Sequence, residues 1–374
     1  MEYILDWEDV NKMKFKIPKN ELLSAIQTVQ NVVSSKMTLP ILSNILIDAR
    51  KSKLKMNATD LDIGISCELP VEISEEGAIT IPAKRFSDIV KEMPAGDISV
   101  HAKKNNQIDI EGEGCRFKLI GLPHEEFPKF PEFKDKEVIR ISQKLLKNML
   151  GLTAFAVSHE ESRYVLNGVF MEVSGDIIRL VATDGRRLAK IEKKLDVPVK
   201  KDITVIIPIK AVQEIARNLK DEGDVSLMVG MNQVLFDIGG VLIATRTIEG
   251  EFPNYNQVIP NPIKNRISMN TQEFLASIRR ANLLATPDFQ AVKFEVFSDK
   301  MVVSKTTPDV GESREEIPVE YGGPEMIVGF NPHFLIDFLK NIEEERIEME
   351  LLGPDKPAVM RLGDYLYLAL PMRI

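Results

Sequence analysis

Cysteine is nearly absent: there are two in 374 residues, Cys67 and Cys115, with no CxxC spacing. That arithmetic argues against a disulfide framework and against a zinc site. Histidine is almost as scarce, since His101, His124, His159 and His333 are scattered without metal-ligand spacing. A P-loop, a GxSxG and an HExxH are all missing, so phosphate-cradling, nucleophilic-serine and zinc-protease chemistries have no footing. No cofactor and no metal is expected. Nothing in the chain approaches the roughly 18 apolar residues of a membrane span. The opening MEYILDWEDVNK is acidic where a secretory leader would be basic and then apolar. The expectation is a cytoplasmic protein with no membrane partner. Positive charge is also in deficit: 48 Lys and Arg stand against 56 Asp and Glu, and the net charge of −8 argues against a simple basic DNA-binding module.

What the chain does have is one statement made three times, at a spacing of about 125 residues. Three amphipathic helical patterns open the copies: NELLSAIQTVQNVV from Asn20, QKLLKNMLGLTAF from Gln143 and QEFLASIRRANLLA from Gln272. Shorter ones follow a proline at Pro82, Pro208 and Pro332, 126 and 124 residues apart. TDLDIG from Thr59 answers TDGRRL from Thr183, and EFPKF from Glu126 answers EFPNY from Glu251. The third copy has no TD turn and ends before any EFP. Self-similarity at a fixed period means one architectural unit reused, and at this length each unit is a domain.

Alternating runs such as KFKI, CRFKLIGL, IRLVATD, VLIATRTI, MVVSKTT, RIEMELL and YLYLALPM predict half-buried strands. The fold class is therefore α+β: three similar domains, each with antiparallel sheets and two helices on one side. The copies are bounded at 13–135, 136–262 and 263–374, with residues 1–12 an N-terminal extension expected to be poorly ordered. The segments Pro123 to Glu137 and Glu249 to Asn265, dense in Pro, Asn and charge, read as linkers.

Charge is partitioned along the chain. Six helical windows (19–36, 83–93, 142–155, 209–220, 271–285 and 331–341) carry 13 Lys and Arg against 6 Asp and Glu. If these helices share one face, an acidic body acquires a basic surface suited to phosphate contacts without base readout. The alternative is that helices simply tolerate Lys and Arg well.

The opening MKFKIPKNELL, the runs MTLPILSNILI, ATDLDIGI, RYVLNGV and VATDGRRLA, the EFPNY segment and the terminal YLYLALPMRI resemble, in order and spacing, the bacterial replicative sliding clamps, the β subunits of DNA polymerase III. The similarity runs from residue 13 to 374. It implies a non-catalytic processivity factor of the DNA clamp fold. Two chains would pair head to tail into a pseudo-sixfold ring around duplex DNA, with helices lining the hole. The implied partners are double-stranded DNA without sequence preference, a second copy of the chain, the DNA polymerase III alpha subunit, the clamp loader and other proteins carrying the clamp-binding motif.

The resemblance also implies three groups of residues. A peptide-binding cleft between the second and third domains maps to Leu166, Thr183, Gly185, Arg187, Leu188, Pro253 and Val258, with Leu368, Leu370, Pro371, Met372 and Arg373 from the chain's end. Apolar Leu, Val, Pro and Met there build an adaptable pocket. Arg186 and Gln257 depart from residues found in some clamps and bear on motif preference. DNA contacts map to Lys36, Lys84, Lys210, Arg217, Arg279 and Arg280. For ring closure, Leu283 and Leu284 supply apolar contact, while Arg85 and Arg116 face Glu312, Glu315 and Glu316 across the interface.

Two competing readings are weighed against this one. A magnesium-dependent nuclease would need several carboxylates converging on one site, and Asp60, Asp62 and Asp184 are dispersed. Asp60 and Asp184 each follow a Thr, which suits turn capping. A peptide-binding scaffold that never encircles DNA is separated from a clamp by comparing retention on circular and on linear DNA.

Overall fold

The computed structural model describes residues 12–33, 39–133 and 137–374. The expectation for residues 1–12 therefore falls almost entirely outside the described residues, as does Lys36. Each opening strand alternates as its sequence does: in Met13–Pro18 the side chains of Met13, Phe15 and Ile17 are buried and those of Lys14 and Lys16 face solvent. Among the described residues six α-helices follow the six windows: α1 Lys19–Gln30, α2 Ala83–Glu92, α3 Gln143–Thr153, α4 Ile209–Asn218, α5 Thr271–Asn282 and α6 Pro332–Lys340. Pro18 and Pro82 stand at the N-cap positions of α1 and α2, where a missing N–H costs nothing. Asn270 and Asn331 cap α5 and α6 through their side-chain oxygens. The helices bury one face only; in α5, Phe274, Leu275, Ile278 and Ala281 are buried while Gln272, Glu273, Arg279 and Arg280 are exposed. Among the described residues no helix is long and apolar enough to cross a membrane.

The chain forms two compact units, Met1–Lys144 with Gln213–Thr247, and Leu145–Val212 with Ile248–Ile374. Both cut through the second copy, and the sheets explain why. In the first unit one antiparallel sheet runs Val138–Ser142, Asp224–Val229, Gln233–Ile238, Val241–Arg246, Ile63–Pro70, Lys53–Thr59, Asn44–Arg50, Gly77–Pro82. Strands of copies one and two are thus joined by pairing Val241–Arg246 with Ile63–Pro70. In the second unit the nine-stranded sheet joins copies two and three in the same way, Arg187–Lys194 pairing with Tyr365–Ala369. Backbone ladders fuse neighbouring copies, so contact density follows the shared sheet and not the sequence boundary.

Each unit keeps a second sheet that has no such fusion. The first unit holds Glu72–Glu75, Met13–Pro18, Asp97–Ala102, Gln107–Gly112 and Cys115–Ile120 in that order. The second holds Gly311–Pro318, Lys300–Thr307, Val292–Val296 and Met326–Phe330. Among the described residues, Cys115–Ile120 and Gly311–Pro318 each pair on one side only. By repeat position they correspond to Val241–Arg246 and Ile63–Pro70, the pair that fuses copies one and two.

Within the first unit α1 packs on α2 and on Lys53–Thr59 and Ile63–Pro70; within the second α5 packs on α6 and on Lys300–Thr307 and Gly311–Pro318. Two expectations need correcting. The segments read as linkers contribute to the core: Phe127 joins Ile41 and Leu42, and Phe252 and Tyr255 lie in a buried cluster of the second unit. Aromatic residues among the prolines bury there because the face of the fused sheet opposite the helices would otherwise be bare. Tyr365–Ala369 is buried on both faces instead of one, as a central strand of a sheet covered on both sides must be.

Asp109 in Gln107–Gly112 is 2% exposed. Its carboxylate accepts from Lys103 Nζ at 2.7 Å, Arg116 Nη2 at 2.7 Å and Gln107 Nε2 at 2.9 Å. The Lys103 hydrogen bond, and after it those from Gln107 and Arg116, outweigh burial and hold this acid well below the ordinary carboxylate range. A folded-state pKa below the unfolded one contributes stability above the unfolded value, about 4, that is lost as pH falls through it. We therefore expect urea midpoints of the wild type to fall more steeply below about pH 4 than those of Asp109→Asn, which cannot titrate there. Parallel curves for the two proteins would refute this.

Candidate functional site

The second unit gathers most of the predicted cleft. Leu166, Leu188 and Leu368 lie in one apolar cluster with Val181, Phe252 and Tyr255. Leu188 and Leu368 are directly paired across the ladder, so their side chains share a face. Thr183 begins a turn built by its own side chains: its Oγ1 donates to Arg187 O at 2.6 Å and accepts from Gly185 N at 3.0 Å. Asp184 Oδ1 accepts from the N–H groups of Arg186 and Arg187 at 2.8 and 2.9 Å. The capping role inferred for Asp184 is the one observed. Gly185 sits at φ +85°, and a Cβ there would come within 2.7 Å of Arg163 Nη1.

Arg187 is the charged anchor of this turn. It is 9% exposed. Its Nε donates to Asp184 Oδ2 at 3.0 Å, Nη1 to Asp337 Oδ2 at 2.7 Å and Nη2 to Phe155 O at 2.6 Å. The guanidinium also lies 4.9 Å from the Phe334 ring centroid. Burial alone would lower its pKa, but Tyr367, Asp337 and Asp184 outweigh that and hold it above its ordinary value. Arg187→Ala takes the guanidinium away from two carboxylates and a carbonyl in a largely buried place, so a loss of about 3 kcal/mol is expected. Arg187→Lys, lacking the planar fork, recovers only part of it. Chemical denaturation of both variants measures this; a wild-type midpoint for the alanine variant would contradict it.

The chain's end forms the other wall. Leu370 N donates to Arg186 O at 2.8 Å, and Met372 N donates to Gly329 O at 2.8 Å in an isolated antiparallel bridge. Leu370 is 38% exposed, although it continues an otherwise buried strand. A Cβ at Gly329 would lie 2.7 Å from Ile374 Cγ1 and 2.8 Å from Met372 O. Only glycine lets the terminal segment approach so closely. Val258 is 56% exposed at the end of the turn Tyr255–Val258, whose first residue is buried in the cluster. Pro253 and Arg373 are exposed. Apolar floor, exposed apolar rim and donors held by a stiff turn suit an extended apolar peptide.

The predicted DNA contacts Lys84, Lys210, Arg217 and Arg279 are exposed on their helices. Arg217 is 2.5 Å from Glu214 Oε1, and Arg280 chelates Glu315 of its own chain. The charges predicted for the interface are likewise engaged within the chain: Arg116 with Asp109 and Glu111, and Glu316 with Lys300 and Arg314. Exchanging such partners across an interface changes little. The apolar side is better placed. Leu283 is 81% exposed just beyond α5, and Phe117 and Ile120 on the one-sided strand Cys115–Ile120 are 38% and 67% exposed. Thr307 Oγ1 holds Leu284 O at 2.6 Å, and Lys305 Nζ, pushed down in pKa by burial, donates to the carbonyls of Phe289 and Ala291.

Sequence reading missed Arg163, Asp337, Phe155, Phe334 and Gly329 at the cleft, and Phe117 and Ile120 on the free edge. The alternation of CRFKLI carries a signal for the last two. No local pattern ties Asp337 to Arg187, 150 residues away. Among the described residues no group of His, Cys, Asp and Glu is placed to hold a metal.

Fused sheets between successive copies, a pair of helices packed together in each unit, and the open edges Cys115–Ile120 and Gly311–Pro318, which match in repeat position the strands of the fused junctions, define a clamp-type fold of three domains. Residues 13–131, 140–254 and 256–372 match, in turn, the N-terminal, central and C-terminal domains of the DNA polymerase III beta subunit. The beta sliding clamp of Bacillus subtilis is 33% identical over 96% of this chain and 100% of its own length, and that of Chlamydia pneumoniae 30% identical over 97% and 99%. The crystal structure of the Bacillus subtilis clamp has a TM-score of 0.93 over 97% of this chain and 99% of its own. A Pseudomonas aeruginosa clamp bound to griselimycin has a TM-score of 0.92 at 29% identity, over 97% and 100%. The chain belongs to the DNA polymerase III beta subunit family. It is a DNA sliding clamp, a processivity factor and not an enzyme.

Proposed function

We propose that two copies pair head to tail, the strand Cys115–Ile120 of one against Gly311–Pro318 of the other, and so close a ring around duplex DNA in the bacterial cytoplasm. The observation that carries this reading is the strand pattern. Copies one and two, and copies two and three, are joined by pairing one corresponding pair of strands. Among the described residues, the two strands that by repeat position would make the next such junction are both sheet edges, each paired on one side only. A polypeptide that leaves one such edge in each unit satisfies both by heterologous contact with a second copy. The domain boundaries that go with this reading are 135/136 and 262/263.

Exposed Lys84, Lys210, Arg217 and Arg279 then supply sequence-independent attraction to phosphates, which must stay moderate for the ring to slide. The cleft around Leu188, Leu368 and Leu370 takes the clamp-binding motifs of the DNA polymerase III alpha subunit, the clamp loader and other replication and repair proteins. The test is topological: protein loaded on nicked circular DNA persists, and linearising the circle releases it. Equal retention on both forms would overturn the reading.

A further inference from the structure

The turn at Thr183 has a close double in the first unit. Thr59 Oγ1 donates to Ile63 O and accepts from Leu61 N, while Asp60 Oδ1 accepts from the N–H groups of Asp62 and Ile63. Leu61 even shares the left-handed backbone of Gly185, at φ +79°. The adjoining strand corresponds too, since Arg246 N donates to Asp62 O as Leu370 N does to Arg186 O. Position by position, Gly64 stands where the cleft has Leu188, and Ala244 where it has Leu368; Gly64 and Ala244 are paired as those leucines are.

Two leucines have become a glycine and an alanine, and the floor sinks. A cavity of about 190 Å³ lies there, walled by Phe127 to Pro131. The Phe130 ring approaches to 3.2 Å of where a Gly64 Cβ would be. Asn57, also lining the cavity, is 9% exposed, and its buried Oδ1 accepts no hydrogen bond. A buried acceptor without a donor is costly and calls for one from a ligand.

We infer that this first-unit cavity is a second binding site, taking a single aromatic ring that carries an N–H donor. The volume exceeds the roughly 150 Å³ apolar cavity known to hold benzene, so one ring with a fused pyrrole fits. The Phe130 ring covers Gly64, so the ligand ring packs beside it over Ala244, and its N–H reaches Asn57 Oδ1. The inference rests on the internal repetition and stands whether or not the second-unit cleft binds peptides.

The experiment is ligand-observed NMR on the full chain with indole, 1-methylindole and N-acetyltryptophanamide. Indole is expected to bind saturably, and 1-methylindole about tenfold more weakly because it lacks the donor. Asn57→Leu should abolish that difference, and Ala244→Leu, which restores the cleft's leucine, should abolish binding of all three. If N-acetyltryptophanamide binds at least as well as indole, the natural occupant is a peptide side chain; if indole alone binds, it is a free heterocycle. Absence of saturable binding to the wild type, or indole affinity unchanged in Ala244→Leu or in Asn57→Leu, would overturn the assignment.

Discussion

A chain ending at Ala369 is expected to fold, to dimerise and no longer to hold a glutamine-led peptide with an apolar and aromatic end. Leu370, Pro371 and Met372 are partly or largely exposed, so their deletion leaves Tyr365–Ala369 in place and removes little core. What goes is the wall of the cleft: the exposed Leu370, and the Met372 bridge that carries the tail past Gly329. Interface residues at the centre of such a site each contribute upward of about 2 kcal/mol, so affinity should fall by about thirtyfold or more. Fluorescence anisotropy with a labelled peptide measures the loss, and sedimentation velocity the intact dimer. Gly329→Val provides an independent version. Its side chain meets the Met372 carbonyl, which is backbone, so the tail must lift with no residue removed. Peptide affinity within about threefold of wild type in both proteins would mean that the tail is not part of the site.

Replacing Leu283 and Leu284 with aspartate is expected to convert the protein to monomers. Leu283 is a large apolar side chain 81% exposed in the isolated chain; the α5 helix before it is capped by Asn270, and the carbonyl of Leu284 after it is held by Thr307. An unpaired carboxylate buried at an apolar interface costs several kcal/mol, enough to dissociate an interface of ordinary size. Phe117→Asp, on the opposite edge, should have the same effect from the other side. Because none of the three belongs to the cleft, peptide binding survives while retention on circular DNA is lost. A dimer persisting in sedimentation at micromolar concentration, in both variants, would remove Leu283 and Phe117 from the interface. Truncation and interface variants thus separate tethering from encirclement.

Much of this was legible in the amino-acid order. The three-fold period, the six helices, the opening strands and the Thr-Asp turns are local properties, written in alternation, 3.6-residue spacing, and side chains that bond their own backbone. Leu166, Thr183, Gly185, Arg187, Leu188, Pro253, Val258, Leu368, Leu370, Pro371, Met372 and Arg373 could be assigned together only through the resemblance to the bacterial sliding clamps, since no period in the chain links them. What the order of residues could not say was which strands meet. Pairing of Arg187–Lys194 with Tyr365–Ala369 spans far more chain than any periodicity reports, and it alone brings Arg186 to Leu370 and Leu188 to Leu368.

Charge shows the same division. Arg280 and Arg116 count as positive in any sequence window, yet each is matched by a carboxylate of its own chain once folded. Likewise Gly64 and Ala244 are unremarkable small residues until the ladder sets them side by side opposite Phe130. By itself the sequence determined the repeated unit and its local geometry, because these depend on neighbours within a few residues. Tertiary structure alone decided which edges stay open, which charges are satisfied and where one junction is filled and the other hollow. Those outcomes depend on side chains brought together from distant parts of the chain.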